Sequence, residues 1–382
     1  MKNNIPRKKT IMIIAGEASG DMHGANLVWE MLQMNPSLSF YGIGGKRLRE
    51  AGVELFADVA QMAVVGVSEV FAKLGDILKT MRMMKKSLDT RRPDLVILID
   101  YPDFNLPLAR AAHQKGIRVF YYISPQVWAW RKGRIAQIKK NVDKMAVILP
   151  FEVDTYRENG FDVHYVGHPL LDMIKDHYAQ EETKKQIGID ARRPTIALMP
   201  GSRLAEVKTL LPELMKAAAV LKSQIADIQF VLPLAETLDE KTVREYLLPS
   251  HLPVKVVSGN TYEVIASADL ALVASGTATL ETALLNVPMV IVYKVSLLSY
   301  LIGRTFIHVK NIGLVNIVAG KTIVPELIQA DANGQRIAQE ALSILTNREK
   351  YHQMKQDLAA VRARLGEPGA ARRAAQIALN MI

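Results

Sequence analysis

The 382-residue chain has no cysteine, which excludes disulfides, thiolate metal sites and thiol nucleophiles and suits a reducing compartment. It also has no stretch of about 18 uninterrupted apolar residues, the length a membrane-spanning helix needs. The nearest, Val287 to Val309, is broken by Lys294 and Arg304. Basic residues (Lys2, Arg7, Lys8, Lys9) precede the apolar run Ile11 to Ala15, but that run is too short for a signal-peptide core and stops at Glu17, so it reads as a first strand. Neither of the small-residue loops after the strands Thr195 to Met199 and Leu270 to Val273 ends in Gly-Lys-Ser/Thr, and neither is a G-x-G-x-x-G, so the ATPase and NAD-dependent readings lose most of their support. The formal charge of +10 calls for an anionic partner. The basic residues are not gathered into an arginine-rich or aromatic-interleaved tract, so no nucleic acid is predicted; a phosphorylated small molecule or anionic lipid remains.

With 49% hydrophobic residues the chain can build a core in each of two domains. Short apolar runs alternate with helical-period segments: Ile11 to Ala15, Leu95 to Ile99, Val119 to Ile123, Met145 to Leu149, Thr195 to Met199, Phe230 to Leu232, Val254 to Val257, Leu270 to Val273 and Val290 to Tyr293. Near-continuous apolar strands separated by helices predict parallel sheets covered on both faces. Strand patterning stops in "YVGHPLLDMIKDHYAQEETKKQIGID", which places a hinge near Gly167 to Leu171. The division expected is 1–168, 169–332 and a helical C-terminus, 333–382, packing back on the domains.

Two strand-to-helix junctions of the second half suit phosphate. In "ALMPGSRLAEV", Pro200 and Gly201 turn the chain, Ser202 can cap, and Arg203 offers a planar cationic fork at a helix start. In "LALVASGTATLETALL", Ser275, Gly276 and Thr277 lead into a helix whose positive end favours an anion, and Glu281 lies one turn on, placed to accept from a ribose diol. The comparable loop of the first half, "IMIIAGEASGDMHG", carries Glu17 and Asp21, which repel phosphate; "VILIDYPDFNLPLAR" puts Asp100 and Asp103 beyond another strand end. Ligands of open α/β sheets collect at the carboxyl ends of strands, so these acids suit hydroxyls, with one of them taking a proton. Asp21 and Asp103 read equally well as helix caps.

"AGEASGD", "IDYPDFN", "SPQVWAWR", "LMPGSRLAEV", "SGTATLE" and "GLVNIVAG", in this order over nearly the whole chain, resemble lipid-A-disaccharide synthase. The resemblance implies a GT-B-like α/β fold, two Rossmann-like domains with parallel sheets facing across a cleft and a helical C-terminus. It implies an inverting transfer from UDP-2,3-diacylglucosamine to 2,3-diacylglucosamine 1-phosphate, giving the β-1,6 disaccharide and UDP, with no cofactor and no metal. A UDP-N-acetylglucosamine epimerase or other GT-B-like enzyme with a soluble substrate is the alternative. Carried over, the motifs mark Glu17, Asp100, Arg203 and Asn316 as functional, with Ser275 to Glu281 on the UDP side. Asp100 is the first choice of base and Glu17 the second. Tyr101 departs from the pattern, standing where alanine is expected in many members.

A soluble enzyme with diacylated substrates needs a lipid contact, at the cytoplasmic face of the inner membrane. In "SEVFAKLGDILKTMRMMKKSL", Val70, Phe71, Leu74, Ile77, Leu78, Met81 and Met84 share a helical stripe beside Lys73, Lys79, Arg82, Lys85 and Lys86. Peripheral attachment to anionic lipid through 62–84 is expected, with 295–310 as the second candidate. A homodimer is compatible with all of this.

Overall fold

The computed structural model describes residues 8–58, 67–128, 133–295 and 311–382, with side chains of the helix Val67–Thr90 described from Gly75 onward. Contacts divide the chain into two units: Met1–Asp172 with Glu367–Ile382, and Met173–Gly366.

The first unit is built on seven parallel strands: β1 (Thr10–Ala15), β2 (Ser39–Gly44), β3 (Glu54–Asp58), β4 (Leu95–Ile99), β5 (Arg118–Tyr122), β6 (Lys144–Val147) and β7 (His164–Tyr165). Their order is β3-β2-β1-β4-β5-β6-β7. β4 is the central strand with β1 beside it, and residues 11–15 and 95–99 are wholly buried, which is why both read as unbroken apolar runs. Met12, Ile14, Val96, Leu98 and Tyr121 share a core with Met84 and Leu88 of the helix Val67–Thr90 and with Phe104 and Leu108 of the helix Pro102–Gln114. The alternate face lies under the helix Ala18–Met34, whose Gly24 comes close enough to Ile99 that a Cβ there would sit 2.9 Å from its side chain. The last helix, Ala370–Leu379, packs on Ala18–Met34.

The second unit has six parallel strands: β8 (Thr195–Met199), β9 (Gln229–Leu234), β10 (Val254–Ser258), β11 (Leu270–Ala274), β12 (Met289–Tyr293) and β13 (Glu326–Ile328), in the order β10-β9-β8-β11-β12-β13. The helices Leu204–Gln224 and Gly334–Thr346 pack together on it, and Arg348–Arg364 packs on Ala278–Leu284. The C-terminal helices therefore divide between the units, two with the second and the last with the first.

In both sheets the chain starts at the centre, runs to one edge, then returns to the centre and builds toward the other edge. The reversal falls between β1 and β4 in the first unit and between β8 and β11 in the second, the switch points at whose strand carboxyl ends open α/β sheets bind ligands.

Candidate active site

Ala15 and Ile99 pair in register, so the loops leaving β1 and β4 start side by side. Asp100 and Tyr101 both take left-handed backbone, φ 44° each, ahead of Pro102 at the helix start. Asp tolerates that conformation through its short polar side chain; for Tyr it costs roughly 1–2 kcal/mol. The turn lays the Tyr101 ring over Gly16, where any Cβ would come within 2.1 Å of Tyr101 Cγ. Glycine is obligatory there, and the Tyr101 ring forms the wall between the two loops.

Burial raises the Asp100 carboxyl to a pKa of about 7, the Glu17 charge adds to the effect, and the Tyr101 N–H opposes it. Glu17 is exposed at the N-cap of Ala18–Met34 and makes no capping bond to that helix. Asp100 and Glu17 thus share one switch point, one holding a proton near neutrality and the other contributing negative charge.

The other two acids of this half have structural engagements. Asp21 accepts from the backbone N–H of Gly45 at 2.6 Å, Arg47 at 3.0 Å and Leu48 at 3.1 Å. It does cap a helix, but the neighbouring Lys46–Glu50 rather than its own. Asp103, in the first turn of Pro102–Gln114, pairs with Arg134.

In the second unit Met199 pairs with Val273, so the loops after β8 and β11 again emerge together. Gly201 has φ 110°, and a Cβ on it would meet Glu206 Oε2 at 2.1 Å. Glu206 reaches back to accept from the N–H of Ser202 at 3.0 Å and of Arg203 at 3.3 Å, and its other oxygen meets the Arg203 guanidinium at 3.3 Å. The cap expected of Ser202 is supplied by Glu206 instead. Arg203 keeps half its side chain exposed at the head of the 21-residue helix Leu204–Gln224. Ser275 Oγ donates to the Ile312 carbonyl at 3.2 Å, and Gly276 has open space where a Cβ would stand. Thr277 is the N-cap of Ala278–Leu284. Burial alone raises the Glu281 carboxyl to about 7.

Asn316 lies apart from these polar ends as a fully buried clamp. Its Oδ1 accepts from Ile323 and Val324 N–H at 2.8 and 3.1 Å, and its Nδ2 donates to the Val324 carbonyl at 2.9 Å and Glu326 Oε1 at 2.7 Å. Glu326 in turn holds the N–H groups of Ile312 and Gly313. Asn316 therefore braces, through Glu326, the segment that receives the Ser275 hydroxyl. Glu206 was recoverable from its capping-box position three residues after Arg203. Glu326 carries no local signal. Among the described residues no group of three His, Asp or Glu side chains could hold a metal ion.

Of the stripe expected to meet lipid on Val67–Thr90, the described C-terminal part faces the protein instead. Met84 is fully buried, and Ile77 and Met81 pack partly buried on the same core, so this part of the stripe faces the sheet, as an amphipathic surface helix ordinarily does. Val70, Phe71, Lys73 and Leu74 lie outside the described side chains, as do residues 296–310. The outer face carries Leu78, Lys79, Arg82, Met83, Lys85 and Lys86, all exposed. No helix of the described residues is long and apolar enough to cross a membrane.

Two acidic groups at one switch point and, at the other, an arginine-headed helix with a half-buried glutamate fit a sugar-nucleotide enzyme. Comparison with known proteins decides which. The lipid-A-disaccharide synthetase family model matches residues 11–381. A lipid-A-disaccharide synthase of Syntrophus aciditrophicus is 56% identical over 375 residues, 98% of either chain. The chain belongs to the lipid-A-disaccharide synthase family. That of Geobacter sulfurreducens is 48% identical over 372 residues, 97% of each chain, and that of Nitrosococcus oceani 46% identical over all 382, 98% of that chain. It is a glycosyltransferase of lipid A biosynthesis, as the six motifs imply, and the epimerase alternative falls away.

Solved structures extend the fold and no more than the fold. The UDP-GlcNAc 2-epimerase of Neisseria meningitidis bound to UDP-GlcNAc matches with TM-score 0.66 at 14% identity, covering 97% of this chain and all of that one. The glycosyltransferase CalG4 of calicheamicin matches with TM-score 0.60 at 14% identity, covering 98% and 99%. The lipid-A-disaccharide synthase architecture is accordingly α/β and GT-B-like, with parallel sheets of seven and six strands.

Proposed function

We propose that the chain joins UDP-2,3-diacylglucosamine to 2,3-diacylglucosamine 1-phosphate with Asp100 as the general base. The observation that carries the assignment is the Asp100 carboxyl, held near pKa 7 at the β1/β4 switch point beside Glu17. A base poised near the working pH is ionised often enough to act and basic enough to take a hydroxyl proton. The acceptor 6-hydroxyl oxygen attacks the anomeric carbon on the face opposite UDP and the carbon–oxygen bond to the β-phosphate breaks. Asp100 receives the hydroxyl proton, the α-linkage inverts to β, and UDP leaves. Glu17 accepts from sugar hydroxyls and sustains the proton affinity of Asp100.

The nucleotide half is assigned to the second unit. Arg203 supplies a charge-assisted contact to the diphosphate, Ser275, Gly276 and Thr277 present a small-residue loop that a phosphate can approach, and Glu281 accepts from the ribose hydroxyls. A carboxyl buried without a cation is stabilised in its charged form when hydroxyls donate to it, which suits Glu281 to the ribose. The enzyme works at the cytoplasmic face of the inner membrane. Exposed Leu78 and Met83 among Lys79, Arg82, Lys85 and Lys86 support attachment to anionic headgroups.

The test is turnover with both acylated sugars, following UDP release, together with UDP binding by calorimetry. Asp100→Ala should abolish turnover and leave UDP affinity unchanged; retention of more than about a tenth of kcat removes Asp100 from the role. Arg203→Ala and Glu281→Gln should each weaken UDP binding by roughly 1.5–3 kcal/mol. Unchanged affinity in both would refute the nucleotide assignment.

A further inference from the structure

The site residues leave unexplained how Asp100 keeps a backbone conformation that strands do not use. Its N–H donates to the carbonyl of Ile123 at 3.3 Å, and Ile123 is itself left-handed, φ 66°, which a β-branched side chain resists. Its carbonyl oxygen has two donors. Tyr121 Oη approaches at 2.5 Å from β5, and Asn105 Nδ2 at 2.7 Å from the helix Pro102–Gln114. A carbonyl has two lone pairs, so these donors saturate it.

Neither donor has a simpler employment. Asn105 stands in the first turn of its helix, where the unpaired groups are N–H donors that need acceptors. Its amide instead points its own donor back at the strand, to the carbonyls of Ile99 at 3.1 Å and Asp100. Its Oδ1 is buried with no hydrogen-bond partner, so the side chain is committed to those carbonyls at the cost of its acceptor. Tyr121 is fully buried in a strand whose apolar neighbours would be served as well by phenylalanine. The hydroxyl reaches the Asp100 carbonyl and the Asn105 side chain that shares it.

We propose that Tyr121 and Asn105 are positioning residues that hold the main chain of Asp100 left-handed, so that its carboxylate stays at the β1/β4 switch point. The proposal deepens the reading of Asp100 as base and rests on it for catalysis. Without the two donors the Asp100 carbonyl turns freely, the residue relaxes toward ordinary backbone, and the carboxylate moves toward water. The charged groups around it are Glu17 on the loop after β1, and Asp103 on Pro102–Gln114 with its partner Arg134; the Tyr101 and Tyr121 phenols stay neutral, raised above their ordinary range by burial. Neither substitution below removes any of those charges.

The test uses the full chain carrying Tyr121→Phe, and separately Asn105→Ser, each with and without Asp100→Asn. The difference in denaturation midpoint between each background and its Asp100→Asn partner, followed against pH, reports the titration of Asp100 whether or not it is the base. That titration should move down from about 7 by about one unit or more in both backgrounds, toward the ordinary carboxylate range. In parallel kcat should fall on the order of 10- to 100-fold with KM for the UDP-sugar within about twofold, as expected of a misplaced catalytic group. An unmoved titration with lower stability alone overturns the proposal, since a packing role lowers stability without moving it. Where one variant does not fold, the other decides. If Asp100→Ala retains turnover, the base reading fails by itself and the titration still decides the positioning.

Discussion

The most informative perturbation is Asp100→Asn, because stability and activity should move in opposite directions. The folded-state pKa is raised from 3.8 to about 7, so the folded protein holds that proton more tightly than the unfolded chain does. Stability from this group is therefore greatest below about pH 4, falls as pH rises from about 4 to 7, and stays low above. A shift of about three units at about 1.4 kcal/mol each sets an upper bound near 4 kcal/mol. The carboxyl is only partly buried by surface exposure, so about 2–4 kcal/mol is expected after solvent screening. Asparagine cannot ionise, still accepts from the Tyr101 N–H, and tolerates left-handed backbone as aspartate does. Urea midpoints for the two proteins should therefore nearly coincide at about pH 4 and separate in favour of the variant up to about pH 8, by that amount once multiplied by the m-value. Turnover should drop by about 10²-fold or more. A stability gap independent of pH would refute the reasoning, since it would mean that Asp100 ionises in the folded protein as it does in the unfolded chain.

Two further outcomes are expected. Gly16→Ala should cost roughly 1–3 kcal/mol because its methyl collides with the Tyr101 ring, and Tyr101→Ala in the same chain should recover most of that loss; additive effects in the double-mutant cycle would contradict the contact. Leu78→Ser combined with Arg82→Glu should weaken sedimentation with anionic vesicles while leaving the melting temperature unchanged, and salt should weaken the parent's binding; binding equal to the parent's would move the lipid contact to another segment.

Several site residues were legible in local pattern because the pattern is the physical cause. A strand that must be covered on both faces has to be apolar throughout, and β1, β4, β8 and β11 are, so their ends, where Glu17, Asp100, Arg203 and Ser275 lie, stand out in the sequence. β2 was missed because glycines interrupt its alternation, and β7 and β13 because strands of two and three residues have no period to detect. The stripe of Val67–Thr90 was legible as amphipathic, but apolar residues at that spacing suit a sheet and a lipid surface equally. Only the burial of Met84 shows which one that end of the helix meets.

The order of residues along the chain determined the α/β class, the family and the polar loops that end the central strands, since each depends on spacing within one strand, loop and helix. Partnership across the chain had to wait for the tertiary structure. Asp21 caps a helix 24 residues away, Asn316 and Glu326 brace the segment that Ser275 meets, and Tyr121 and Asn105 converge on the Asp100 carbonyl from two different elements. A hydrogen bond depends on where atoms stand in space, and residues far apart in sequence become neighbours only after the strands have paired. The proton affinity of Asp100 belongs with these, because burial and the charge of Glu17 act on it only once β1 lies beside β4.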